Sequence, residues 1–207
     1  MKTQWEAWCR KRRTTLPLSA LSVYTALLSR WCAVPEVAIQ LRTNGRPSPA
    51  VENAVGLFSS VVYVRVRLRK TDTLADVMQR VIDDYGQSYA IPDFCYLGAE
   101  LPRPELAYIP SFNWLPKPPF SRQFLAATDS IATEPVTFEH PFPEVVRQDP
   151  DPSIVFHESA DEVHGHLIFP NRRFSKDSME RLMDNLVPFL KTMLTTPKIR
   201  LQDIPLQ

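Results

Sequence analysis

Ser59-Ser60-Val61-Val62-Tyr63-Val64-Arg65-Val66-Arg67-Leu68 alternates with a period of two. Val62, Val64, Val66 and Leu68 share one side, and Val61, Tyr63, Arg65 and Arg67 share the other, which predicts a β-strand with one apolar face. Such a face has to be covered by another layer, and the flanking segments supply candidates. Upstream, Leu16 to Cys32 reads as a helix capped by Thr14 or Thr15. Its Leu18, Leu21, Val23, Ala26, Leu27, Leu28 and Trp31 surround much of the circumference, so it is expected to be buried on more than one side. Between the two, Glu36 to Arg42 reads as a second strand. Asn44-Gly45-Arg46-Pro47-Ser48-Pro49 is a loop, because glycine and two prolines cannot continue a ladder.

Downstream, Thr73 and Asp76 form a capping-box pattern opening a helix with Leu74, Val77, Met78, Val81, Ile82 and Tyr85 on one stripe. Ala107 to Trp114 reads as a strand. Ser153 to Glu158 and Val163 to Phe169 read as an antiparallel hairpin turning at Ser159 to Glu162. Ser175 caps a closing helix striped by Met179, Leu182, Met183, Leu186, Val187, Leu190 and Met193. The order predicts an α/β fold, a mixed β-sheet layered with α-helices. Trp5 to Arg13 reads as a short helix or basic N-terminal extension (1–13) ahead of a single domain over 14–207. Twenty prolines against five glycines, clustered between residues 92 and 153, predict an irregular middle.

Composition narrows the function. With 44% hydrophobic and 23% charged residues the chain is expected to fold around a core, and a net charge of +1 creates no field to gather nucleic acid. No apolar run reaches the length of a membrane span, so neither nucleic acid nor membrane is expected as a partner. Cys9, Cys32 and Cys95 are odd in number and widely spaced, which suits a reducing, cytoplasmic setting and supplies no metal-ligand pattern. His164 and His166 are expected on the solvent side of their strand. His157 is expected at the hairpin turn, where His157-Glu158-Ser159-Ala160-Asp161 has no catalytic surroundings. Cys95, between Phe94 and Tyr96, reads as a core residue. There is no phosphate loop, no Gly-x-Ser-x-Gly elbow and no Cys-x-x-Cys. Catalytic residues and metal ligands are therefore expected to be absent.

Three collinear segments carry a resemblance. The first is Tyr24-Thr25-Ala26-Leu27-Leu28-Ser29-Arg30-Trp31 with Val37-Ala38-Ile39 and Gly45-Arg46-Pro47; the second is Val55 to Arg65; the third is Ile109-Pro110-Ser111-Phe112-Asn113-Trp114. Together with Phe174, Glu180-Arg181-Leu182 and the final Ile204-Pro205-Leu206, they resemble the C-terminal lobe of the condensation domains of nonribosomal peptide synthetases. These domains are members of the chloramphenicol-acetyltransferase-like acyltransferase superfamily. In that family a His-His-x-x-x-Asp-Gly motif in the N-terminal lobe faces the tunnel where an amine attacks a carrier-bound thioester. This chain has no such motif, and Ser60 and Val61 stand where the family usually has asparagine and threonine.

The resemblance implies a noncatalytic half in nonribosomal peptide synthesis, a route to secondary metabolites. It would form the acyl-tunnel wall and a docking surface for a peptidyl or acyl carrier protein. It would have no cofactor of its own, meeting only the phosphopantetheine arm of that carrier. Ser59, Ser60, Arg65, Phe112 and Asn113 are its channel-side candidates. Gly45, Arg46 and Pro47 resemble the floor loop, and Pro116, Pro118 and Pro119 resemble the latch. A lone lobe would expose an interface, so association with a histidine-bearing N-terminal lobe or as a homo-oligomer is expected. The alternatives are an independent interaction or scaffold protein of the same fold, and an acyltransferase half activated by a second chain.

Overall fold

The computed structural model describes residues 1–46, 48–52, 54–56, 58–90, 109–116 and 152–207. In chain order the elements are α1 (Lys2–Lys11), α2 (Leu16–Trp31), β1 (Glu36–Thr43), α3 (Pro49–Glu52), β2 (Ser60–Arg67) and α4 (Leu74–Tyr89). They continue with β3 (Ser111–Leu115), β4 (Ser153–Glu158), β5 (Val163–Ile168) and α5 (Lys176–Thr195), followed by a 3-10 turn at Leu201–Asp203. The described strands form one five-stranded mixed sheet in the order β2-β1-β3-β4-β5. β1 is antiparallel to β2 and parallel to β3, β3 is parallel to β4, and the β4–β5 pair is the antiparallel hairpin. The α/β class and the mixed, helix-layered sheet are as the sequence predicts.

α2 is the central rod. It packs against α1, α4, α5 and β1, and its residues are buried almost continuously from Ala20 to Leu28. Three hydroxyls in this apolar setting, Ser19, Ser22 and Thr25, return their protons to the carbonyls of Leu16, Leu18 and Leu21, so none is left without a partner. Ser19 also accepts the indole N–H of Trp5 at 2.8 Å, which ties α1 to α2. Trp5, Trp8 and Cys9 of α1 belong to the same core as the sheet. Residues 1–13 thus fold as a helix within this body, and Arg10, Lys11 and Arg13 are its exposed basic end.

Capping chemistry sets the helix ends. Thr15, Thr73 and Ser175 each accept the amide three residues on, and Asp76 completes the reciprocal box on α4 by accepting the Thr73 amide at 2.8 Å. α1 and α2 each end with a non-glycine residue in the left-handed region, Arg13 (φ 54) and Ala33 (φ 54). The following amides, of Thr14 and Val34, reach back to the carbonyls of Cys9 and Ser29, the six-to-one closure of a Schellman turn. Three local readings differ from the structure. The strand expected from Ala107 begins at Ser111 among the described residues, with Ile109 and Pro110 ahead of it, the proline having no N–H to give a ladder. Pro49 starts the short α3 instead of prolonging the loop, because its fixed φ suits a first helical turn. His157 lies inside β4, opposite His164, and the turn begins only after Glu158.

The sheet has two unlike faces. On the helix side, Val37, Ile39, Leu41, Val64, Val66, Phe112, Ile154 and Phe156 are buried with the helices. On the other face, Ala38, Gln40, Tyr63, Arg65, Ser111, Asn113, Val155, His157, His164 and His166 are all exposed or half-buried. Burying one side chain such as Val64 stabilises by about 1.5–3 kcal/mol, so this one-sided alternation fixes the strand register.

Candidate functional site

The open face and the loop from β1 to β2 are where the sequence places its candidates. Alternation splits the channel set between two surfaces. Arg65 and Asn113 project from the open face, while Ser60 and Phe112 fall on the helix-side parity. Phe112 is 3% exposed and stacks on Phe156 with ring centroids 5.5 Å apart. The row of rings continues through Trp114 to Trp5. Phe112 is therefore a core residue and not a channel-side one; a side chain adjacent to Asn113 on a strand must point the opposite way. Ser59 is exposed just ahead of β2.

Arg65 and Asn113 do not adjoin. Arg65 lies opposite Ala38, and β3 joins β1 at Gln40 and Leu41, so Asn113 is displaced by about 13 Å along the strands. Arg65 and Arg67 both grip Glu36, whose carboxyl is held below its usual range by hydrogen bonds from Arg67 and then Arg65. Asn113 stands near a ladder of small polar groups in which Ser111 and Ser153 share a hydrogen bond of 2.7 Å.

The β1–β2 loop is built around an arginine. Arg46 donates to the carbonyls of Val51 and Ala54, and its guanidinium lies 4.3 Å from the centre of the Phe58 ring. Gly45 adopts φ +59 against the backbone of Phe58. Gly45 and Arg46 thus close a compact loop at one end of the open face. Pro116 is exposed just past β3. Pro47, Pro118, Pro119 and Cys95 lie outside the described residues.

The open face also gathers histidines, a feature the sequence reading missed in part. His157 and His166 stack with ring centroids 5.2 Å apart, and His164 pairs with Glu162 at 2.6 Å. Burial and then the neighbouring His157 hold the pKa of His166 below its usual value. The diagonal pairing of adjacent strands was the available signal, once β4 extends through His157. Among the described residues no cluster of three or more His, Cys, Asp or Glu is placed to hold a metal. Burial pushes both the Cys9 and Cys32 thiols upward, away from a reactive thiolate. Among the described residues no serine or cysteine is hydrogen-bonded to a histidine, so the face offers polar contacts and not an assembled nucleophile and base. No described helix is long and apolar enough to cross a membrane.

Comparison with known proteins places this architecture. A family model described as Condensation domain matches residues 1–206. Gramicidin S synthase 2 of Brevibacillus brevis is 24% identical over 199 residues, covering 92% of this chain and 4% of that protein. Bacitracin synthase 2 of Bacillus licheniformis is 24% identical over 199 residues, covering 94% of this chain and 7% of that one. Among solved structures, the first condensation domain of the CDA synthetase aligns with a TM-score of 0.67 at 13% identity, covering 97% of this chain and 44% of that one. The four-domain nonribosomal peptide synthetase holo-AB3403, bound to AMP and glycine, aligns with a TM-score of 0.76 at 17% identity, covering 99% of this chain and 16% of that one. The structural alignments establish a shared fold. This chain spans less than a tenth of the length of either the gramicidin or the bacitracin synthase and under half of the CDA condensation-domain chain.

Proposed function

The chain belongs to the condensation-domain family, and on that premise we propose that it is a noncatalytic lobe corresponding to the C-terminal half of such a domain. Its open sheet face would form one wall of the acyl tunnel, and its surface would dock a peptidyl or acyl carrier protein bearing the phosphopantetheine arm. The observation that carries this reading is one of coverage. The alignment to the CDA condensation domain uses 97% of this chain but 44% of that one, and no residue described on the open face is buried.

The sequence supports the noncatalytic part of the reading. Its four histidines are at 140, 157, 164 and 166, and no two are adjacent, so the family's paired-histidine motif has no counterpart. A tunnel wall needs groups that position a thioester and an amine without accepting a proton, and Arg65, Ser111, Asn113 and Ser153 suit that task. The base would come from a histidine-bearing N-terminal lobe on another polypeptide or another part of a longer one. Ser59 and the Gly45–Arg46 loop would border the channel, and Pro116 would lead into the latch.

Titration with phosphopantetheinylated carrier protein tests this directly. Saturable binding, weakened by Arg65→Glu or Asn113→Lys, is expected. Absence of binding to carrier protein would favour an independent scaffold of the same fold. Incubation of the purified chain alone with acyl and amine donors is expected to yield no product. Turnover by this chain alone, abolished by His157→Ala, would overturn the noncatalytic assignment.

A further inference from the structure

Away from the open face, the end of α2, the turn after β2 and the 3-10 turn Leu201–Asp203 enclose a cleft of about 550 Å³. Its apolar walls include Val34, Leu68 and Leu201, and its charged lining residues are Arg30, Arg69 and Lys70, all cations. The carboxylates that adjoin these segments in sequence are already committed. Glu36 pairs with Arg65 and Arg67, Asp72 with Arg80, and Asp203 with Arg200. Among the described residues Arg30 has no carboxylate partner: one Nη donates to the carbonyl of Ile204 at 3.1 Å, and its buried Nε has no acceptor.

The walls are tied to one another. The Leu68 amide donates to the Pro35 carbonyl at 2.7 Å, and the Leu201 amide to the Asp72 carbonyl at 2.8 Å. The Ser29 hydroxyl donates to the Val34 carbonyl at 2.6 Å. The turn carrying Arg69 and Lys70 is closed by the Asp72 amide on the Arg69 carbonyl, and the Asp72 carboxylate accepts the Arg69 amide in return. Three cations with no carboxylate partner among the described residues line one rim and repel one another, and a negative group entering between them relieves that repulsion.

We propose that this cleft binds an oxyanion, a phosphate or a carboxylate, carried on a short apolar stem. The cations take the head group, with Arg30 anchored through one Nη on the Ile204 carbonyl, and Val34, Leu68 and Leu201 cover the stem. The proposal is independent of the lobe reading, since it uses none of the open-face residues.

The test is calorimetric titration of the full chain with hexyl phosphate, hexanoate, inorganic phosphate and hexanol. Saturable binding of at least one alkyl anion is expected, about tenfold tighter than inorganic phosphate, with no binding of hexanol. The stronger of the two alkyl anions identifies the head group. Arg69→Glu/Lys70→Glu should weaken binding by at least about tenfold at low salt, and Arg10→Glu/Lys11→Glu, at the distant end of α1, should leave it unchanged. Arg69→Gln/Lys70→Gln repeats the test without charge reversal, and unfolding midpoints equal to that of the parent confirm that each variant is folded. Failure of both alkyl anions to bind saturably, equal binding of hexanol, or equal weakening by the α1 control would overturn the proposal.

Discussion

A methyl group placed on Gly45 would lie 1.5 Å from the carbonyl oxygen of Phe58. The two residues bring the ends of the β1–β2 loop into backbone contact, and Arg46 then spans the loop from above the Phe58 ring. Gly45 is needed both for its left-handed backbone and for its missing side chain. Gly45→Ala is expected to cost at least about 2 kcal/mol, the left-handed penalty plus displacement of the loop. Gly45→Asn should not rescue it, because asparagine tolerates the backbone angle but keeps the Cβ. Urea unfolding of both variants checks this; a variant as stable as the parent would refute it.

Ala33 presents the opposite case. Its φ of 54 closes the end of α2 at an exposed position, so the strain has no packing to offset it. Ala33→Gly is expected to stabilise by about 0.5 kcal/mol, the relief of left-handed strain exceeding the added freedom of the unfolded chain. The readout is a higher urea midpoint with unchanged slope.

Among the described residues the outer edge of β2 is met by side chains of α4 and not by a further strand. Asp84 accepts the Arg65 amide at 2.8 Å, Ser88 donates to the Tyr63 carbonyl at 2.8 Å, and Arg80 donates to the Arg67 carbonyl at 2.6 Å. α4 thereby occupies the groups through which an exposed edge would recruit another chain. Asp84→Ala/Ser88→Ala is expected to cost about 1–2 kcal/mol and to increase concentration-dependent association, measured by light scattering. Loss of stability without association would show that the edge is protected by other means.

Tyr24 is 1% exposed, and its hydroxyl has no hydrogen-bond partner among the described residues. Burial, and secondarily Cys32, push its pKa far above the ordinary tyrosine value. Above pH of about 10 the unfolded chain loses this proton while the folded one keeps it, so the native state loses stability as pH rises further. Tyr24→Phe is expected to stabilise by about 1 kcal/mol at neutral pH and to reduce the alkaline loss between pH of about 10 and 11. Parallel urea titrations at pH 7 and pH 11 test both, and an unchanged alkaline slope would contradict the assignment.

Much of the fold is legible residue by residue. The period of two from Val62 to Leu68 marks β2 and its buried side, Thr73 with Asp76 marks the start of α4, and Ser159 to Glu162 marks the hairpin turn. These signals are local: a cap, a turn or an alternation is decided by neighbours within a few residues. Phe112 and Asn113 were legible by the same alternation, but as one segment of a resemblance they read as a common surface. The stacking of His157 on His166 is a diagonal contact across the hairpin. The expected bounds of β4 already contain His157, but which side chains meet diagonally depends on strand twist and rotamer, not on local sequence.

From the order of its amino acids alone, the chain specified its longer helices and its strands, its α/β class, and a set of histidines with no adjacent pair, because capping, periodicity and motif spacing are properties of short segments. Only the folded arrangement decided the strand order β2-β1-β3-β4-β5, that α4 closes the edge of β2, and that Arg30, Arg69 and Lys70 share one cleft. Those relationships join residues far apart in sequence, and they follow from which apolar faces can be buried together in three dimensions.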